Sequence, residues 1–156
     1  MKISIITVGK TASKNISELE NEYFGRLKHY CNFENISIPA VKNAKNFSVE
    51  ELKKEEGKLL LKVIDNDDFV VLLDEKGKCF TSMEFAQYIE KQQFTAKKIC
   101  FIIGGAFGFS KNIYERANFL LSLSKMAFSH QIVRAIFAEQ LYRAMTIIKG
   151  EKYHHE

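Results

Sequence analysis

Five short apolar stretches alternate along the chain with five segments of helical periodicity, and this alternation limits the possible folds most. Lys2–Val8 is rich in Ile and closed by Gly9, so it reads as a strand. Ser17–Tyr30 repeats Leu19, Tyr23, Leu27 and Tyr30 at three and four residues, the spacing of a helix face. Phe33–Ile38 alternates apolar and polar residues before Pro39, the single proline. Ser48 and Glu51 form a capping box for a helix to Val63, and Thr81 and Glu84 form another for a helix to Gln92. Between them Phe69–Leu73 is a buried-strand run, with a turn expected in "DEKGK" at Gly77. Ile99–Ile103 is a further buried strand, Ser110 is placed to cap a short helix over Lys111–Arg116, and Phe119–Leu123 is the last strand. A long helix from Gln131 to Lys149 stops at Gly150.

Strands that alternate with helices predict an α/β fold with a mostly parallel sheet flanked by helices. No Pro/Ser-rich linker, repeat or low-complexity tract interrupts residues 1–156, so one domain is expected. No run of 18 apolar residues occurs, and "MKISIITVGK" lacks the cleavage site of a signal peptide; a cytoplasmic protein without a membrane span is expected. Cys31, Cys79 and Cys100 are far apart and lie in no CxxC or Cys/His cluster, so reduced core thiols are expected rather than disulfides or a metal site. The net charge of +4 permits an RNA partner without requiring one.

Ligands of such sheets gather at the carboxyl ends of strands. "GGAFG" at 104–108 lets a backbone approach a ligand closely, although a tight strand-to-helix turn uses the same glycines. It is neither GxGxxG nor a phosphate-cradling GxxxxGK[ST], which disfavours a ligand held chiefly by its phosphates. On the last helix Ile132, Val133, Ile136, Phe137, Leu141, Ala144, Ile147 and Ile148 fall within an arc of about 180° at 100° per residue. That arc is wider than one sheet face needs. It predicts a homodimer, with Ile136, Phe137 and Leu141 as contact candidates, the alternative being a deep core within the single chain. Arg143 falls inside the arc and therefore needs a ligand or an acid such as Glu139 beside it. The tail "EKYHHE" after Gly150 has no apolar periodicity to anchor it.

"ITVGK", "LLDEKGK", "IIGGAFG", "LSLSKMAFSHQIVRAIFAEQLYRA" and the terminal "YHHE" occur in this order along the full length. In combination they resemble the small bacterial methyltransferases that modify N3 of a pseudouridine in 23S ribosomal RNA, members of the α/β-knot (SPOUT) class. The resemblance implies a C-terminal trefoil knot and S-adenosyl-L-methionine as methyl donor, with no metal. It places the cofactor against Leu73, Gly104, Gly105, Leu123, Ser124, Lys125, Met126, Ala127 and Phe128. It implies active-site roles for Tyr153 and His154 of the tail, alongside His130 and Arg143. The implied partners are a second copy of the chain and 23S rRNA within the assembled ribosome, with neither DNA nor a membrane. Ser129 stands where the family often has Pro, which predicts a looser loop before the last helix, and His155 stands where Arg is common. A non-catalytic ribosome- or RNA-associated module is the alternative reading of the same residues.

Overall fold

The computed structural model describes residues 1–155; Glu156, the last residue of the tail, lies outside the described residues. The strands are β1 (Lys2–Val8), β2 (Asn32–Ile38), β3 (Phe69–Cys79), β4 (Lys98–Ile103) and β5 (Phe119–Ser122). The helices are α1 (Lys14–Leu27), α2 (Val49–Leu61), α3 (Ser82–Gln92), α4 (Lys111–Arg116) and α5 (Ile132–Ile148). The strands form one sheet in the order β2-β1-β4-β3-β5, and every pair is parallel.

Because side chains alternate across a strand, the continuous apolar runs of β1, β3 and β4 supply two cores at once. Ile3, Ile5, Val71, Ile99, Phe101 and Ile103 face α1, α3 and α5, where they meet Leu27, Ile89, Phe137 and Leu141. Ile6, Val8, Val70, Leu72 and Ile102 face the other way, against Leu60 of α2, Phe109, and Ile113 of α4.

Four local differences from the sequence expectations have physical causes. Helix α1 begins three residues early because Ser13 Oγ accepts the Ile16 N–H. Strand β3 does not end at Leu73: it bulges over Asp74–Gly77 and rejoins β5 at Lys78. Gly77 is required there, since a Cβ would stand 2.6 Å from the Leu120 carbonyl. Ser110 precedes α4 but its side chain caps nothing, and its buried hydroxyl has no partner among the described residues. Of the three thiols only Cys100 is fully buried; Cys31 is half-buried, and Cys79 is exposed because the extended end of β3 carries it past the helices.

A buried polar network ties the amino ends of β3 and β4. Lys98 Nζ lies 2.9 Å from Asp68 Oδ2, which also accepts the Asp65 N–H at 2.9 Å and the Cys100 thiol at 3.2 Å. Burial alone would raise the Asp68 carboxyl, but these bonds overrule it and hold it below its ordinary 3.8. The folded chain therefore gives up this proton more readily than the unfolded chain. The stabilisation is complete above the ordinary pKa and is lost as pH falls through the folded value. Asp68→Asn is expected to lower unfolding free energy by about 1–3 kcal/mol at pH 7 and by much less near pH 2. Urea titrations at the two pH values measure this, and equal losses at both would refute the linkage.

Candidate functional site

A cavity of about 530 Å³ opens at the carboxyl ends of β3, β4 and β5, within the range of small-ligand sites. Leu73 forms one wall together with the bulge Asp74–Lys76, and Gly104, Gly105 and the loop to Phe109 form the second. The third wall is the chain leaving β5: Leu121, Leu123, Ser124, Met126, Ala127, Phe128 and His130, with Val133 at the start of α5.

The glycine loop is shaped by what packs behind it. A Cβ on Gly104 would stand 3.0 Å from Phe109 Cε1, so glycine lets that ring fold under the loop. A Cβ on Gly105 would stand 2.9 Å from the Glu56 carboxylate of α2, whose pKa is pushed up by desolvation. Gly108 turns the loop back with φ at 83°, and its N–H donates to the Gly105 carbonyl.

The opposite wall is held by serines. Ser122 Oγ donates to the Ser124 carbonyl at 2.8 Å, and Ser124 Oγ accepts the Met126 N–H at 2.9 Å. This turn carries Lys125 out into solvent, so eight of the nine expected cofactor residues line the cavity and Lys125 does not. At the approach to α5 the Ser129 hydroxyl accepts the Ile132 N–H at 3.2 Å, a bond that proline in this place could not make.

Arg143, Tyr153 and His154 come together elsewhere. Arg143 Nη2 donates to Glu139 Oε1 at 2.5 Å, and its guanidinium carbon lies 4.8 Å from the centre of the Tyr153 ring. Arg143 Nη1 is 3.3 Å from His154 Nδ1, and the Tyr153 hydroxyl donates to Glu139 Oε1 at 3.0 Å. Tyr153 also packs edge-on against Tyr142 with centroids 4.8 Å apart. Burial, the neighbouring Tyr23 hydroxyl at 3.4 Å and the Glu139 carboxylate push its phenol up. The tail is therefore anchored after all, by polar and aromatic contacts that apolar periodicity does not register. Arg143 lies 11 positions along α5 from Ile132, roughly 16 Å at 1.5 Å per residue, whereas His130 precedes the helix. Within one chain the tail cluster does not belong to the cavity.

Three residues at or beside the cavity escaped sequence reasoning. Asp74 and Tyr114 both line it and are hydrogen-bonded to each other; "LLDEKGK" marked the strand end without singling out its acid. Arg134 is 1% exposed and donates to the carbonyls of Val8, Gly9 and His130. It fixes the start of α5 to the end of β1, and nothing in its spacing marks it as buried.

The family model described as "Predicted SPOUT methyltransferase" matches residues 1–154. Proteins named "Ribosomal RNA large subunit methyltransferase H" align over nearly the whole of both chains. The one from Parabacteroides distasonis is 52% identical over 157 residues, covering 100% of each chain. That from Christiangramia forsetii is 50% identical, covering 99% of each, and that from Cytophaga hutchinsonii is 52% identical, covering 99% of this chain and all of its own. The parallel sheet, the cavity at its carboxyl edge and a match over almost every residue agree: the chain belongs to the SPOUT methyltransferase family.

Proposed function

We propose that the chain transfers a methyl group from S-adenosylmethionine to N3 of a pseudouridine in 23S ribosomal RNA, acting on assembled ribosomes in the cytoplasm as a homodimer with a C-terminal trefoil knot. The observation that carries this reading is the cavity, whose glycine-rich wall and Ser124–Phe128 wall face one space. The residues present fit the cofactor. Leu121, Leu123, Phe128 and Val133 offer apolar surface for an adenine ring, Gly104 and Gly105 leave backbone accessible, and Asp74, Lys53 and Lys76 supply a polar end. When bound, S-adenosylmethionine supplies an electrophilic methyl group on a positively charged sulfur.

The remaining tasks fall to this chain's own side chains. N3 of a uracil-type ring carries a proton that must leave, and an imidazole is a suitable base near neutral pH. His130 lies in the cavity wall. His154 receives the Arg143 guanidinium at Nδ1, so its proton sits on Nε2 and it acts as a donor unless that contact opens. His130 is then the better-placed base, with His154 and Arg143 suited to the carbonyl oxygens of the target ring. Tyr153 offers a ring for stacking.

These two groups can meet only if one subunit's tail reaches the other's cavity. The exposed side of α5 supports such a dimer: Ile132, Ile136 and Ile147 remain only half-buried in the single chain. Phe137 and Leu141, the other contact candidates, are 0% exposed inside the chain's own core and are not free to form the interface.

Purified protein is expected to bind S-adenosylmethionine without added metal in a calorimetric titration. Gly104→Val, whose Cβ would stand 3.0 Å from Phe109 Cε1 and whose side chain narrows the glycine wall, is expected to weaken binding at least tenfold, about 1.4 kcal/mol. Unchanged affinity in that variant would remove the glycine loop from the site.

A further inference from the structure

We infer that Asp74, braced by Tyr114, recognises the ribose hydroxyls of the cofactor; this rests on the reading of the cavity as the S-adenosylmethionine site. The bulge that interrupts β3 between Leu73 and Lys78 turns Asp74 into the cavity wall. Its carboxylate is then fixed from two sides. Oδ1 accepts the Lys76 N–H at 2.8 Å, and Oδ2 accepts the Tyr114 hydroxyl from α4. Burial and the neighbouring carboxylate both push the Tyr114 phenol up, so it remains a donor.

Among the described residues no cation stands within ion-pair distance of Asp74, although Lys53 and Lys76 share the cavity wall. A carboxylate accepts about four hydrogen bonds, and two neutral donors leave each oxygen with a free lone pair. Two adjacent acceptors with a locked plane match two adjacent hydroxyls. An acid beyond the carboxyl end of a parallel strand has this role toward ribose in other α/β nucleotide sites. The partly buried bulge makes the unmet acceptors matter, because a ligand lacking a hydroxyl leaves them unpaired. Tyr114 is a positioning residue here: it sets the plane of Asp74, and it links α4 to the strand end across the cavity rim.

The test is a calorimetric titration of the full chain with S-adenosylhomocysteine and with its 2′-deoxy counterpart, repeated with Asp74→Asn and Tyr114→Phe. Asn keeps an acceptor for the Lys76 N–H, and circular dichroism reports whether each variant folds. The unsubstituted chain is expected to bind the 2′-deoxy compound at least tenfold more weakly, as sites built for a hydroxyl do. In Asp74→Asn that difference should collapse to less than about twofold, and in Tyr114→Phe it should narrow about threefold. Discrimination that persists in Asp74→Asn would overturn the assignment. If instead Asp74→Asn weakens S-adenosylmethionine far more than S-adenosylhomocysteine, the carboxylate serves the sulfonium and the ribose assignment is wrong. Should Asp74→Asn fail to fold, unchanged discrimination in Tyr114→Phe decides against it. Failure of the unsubstituted chain to bind either S-adenosyl compound would instead sink the cofactor reading itself.

Discussion

Replacing Arg134 by alanine is expected to lower the unfolding free energy by about 3–5 kcal/mol, a large part of what holds a domain of this size together. Its guanidinium, 1% exposed, donates to Val8 O at 2.7 Å, Gly9 O at 2.9 Å, Thr11 Oγ1 at 3.2 Å and His130 O at 3.2 Å. Burial lowers its pKa, and the nearby Glu20 carboxylate partly offsets this. Truncation takes a donor from the buried Val8 carbonyl and from those of Gly9 and His130, of which Gly9 O keeps the Ser37 hydroxyl, and it opens a cavity where α5 begins. Lysine restores charge without the planar fork, so Arg134→Lys should recover less than half of the loss. Urea unfolding by circular dichroism measures both variants. A loss under about 1 kcal/mol in Arg134→Ala would mean that water replaces the guanidinium without penalty.

Removal of Tyr153–Glu156 is expected to cut methylation of ribosomes at least tenfold, about 1.4 kcal/mol of transition-state stabilisation. The fold should survive, because both core clusters consist of residues before the tail. A modest stability loss of about 1 kcal/mol is expected, since Tyr153 leaves Tyr142 and Glu139. Mixing the truncated subunit with a full-length Gly104→Val subunit should restore activity if the tail works on its partner's cavity. Full activity of the truncated protein alone would dismiss the tail from the reaction. An inactive mixture with proven heterodimers would dismiss only its action across the interface.

How much of this was legible in the residues depended on the kind of signal. Period-two and period-3.6 patterns placed the five strands and five helices to within three residues, the far end of β3 excepted, because apolar burial dominates those elements. The β3 bulge was not legible: it depends on Gly77 lying against the β5 backbone, a contact 43 positions away. The cavity walls were marked by glycines and by the "SLSKMAF" phrase, yet Lys125 turned outward because of a serine turn that spacing does not reveal. Arg134 was invisible for the opposite reason. A helical wheel puts it at 200°, just past the edge of the apolar arc beside Leu141, and only tertiary folding brings the end of β1 over it. Sequence periodicity likewise assigned Phe137 and Leu141 to an outer face, whereas the sheet and α3 consume them.

The most direct measurement supplies labelled S-adenosylmethionine and the purified chain to ribosomes isolated without the modification, then digests the 23S RNA to nucleosides for mass spectrometry. The expected result is label in a single nucleoside, N3-methylpseudouridine, formed without added metal and lost with Gly104→Val. Label in a different nucleoside, or none with protein that binds S-adenosylmethionine, would contradict the proposed reaction.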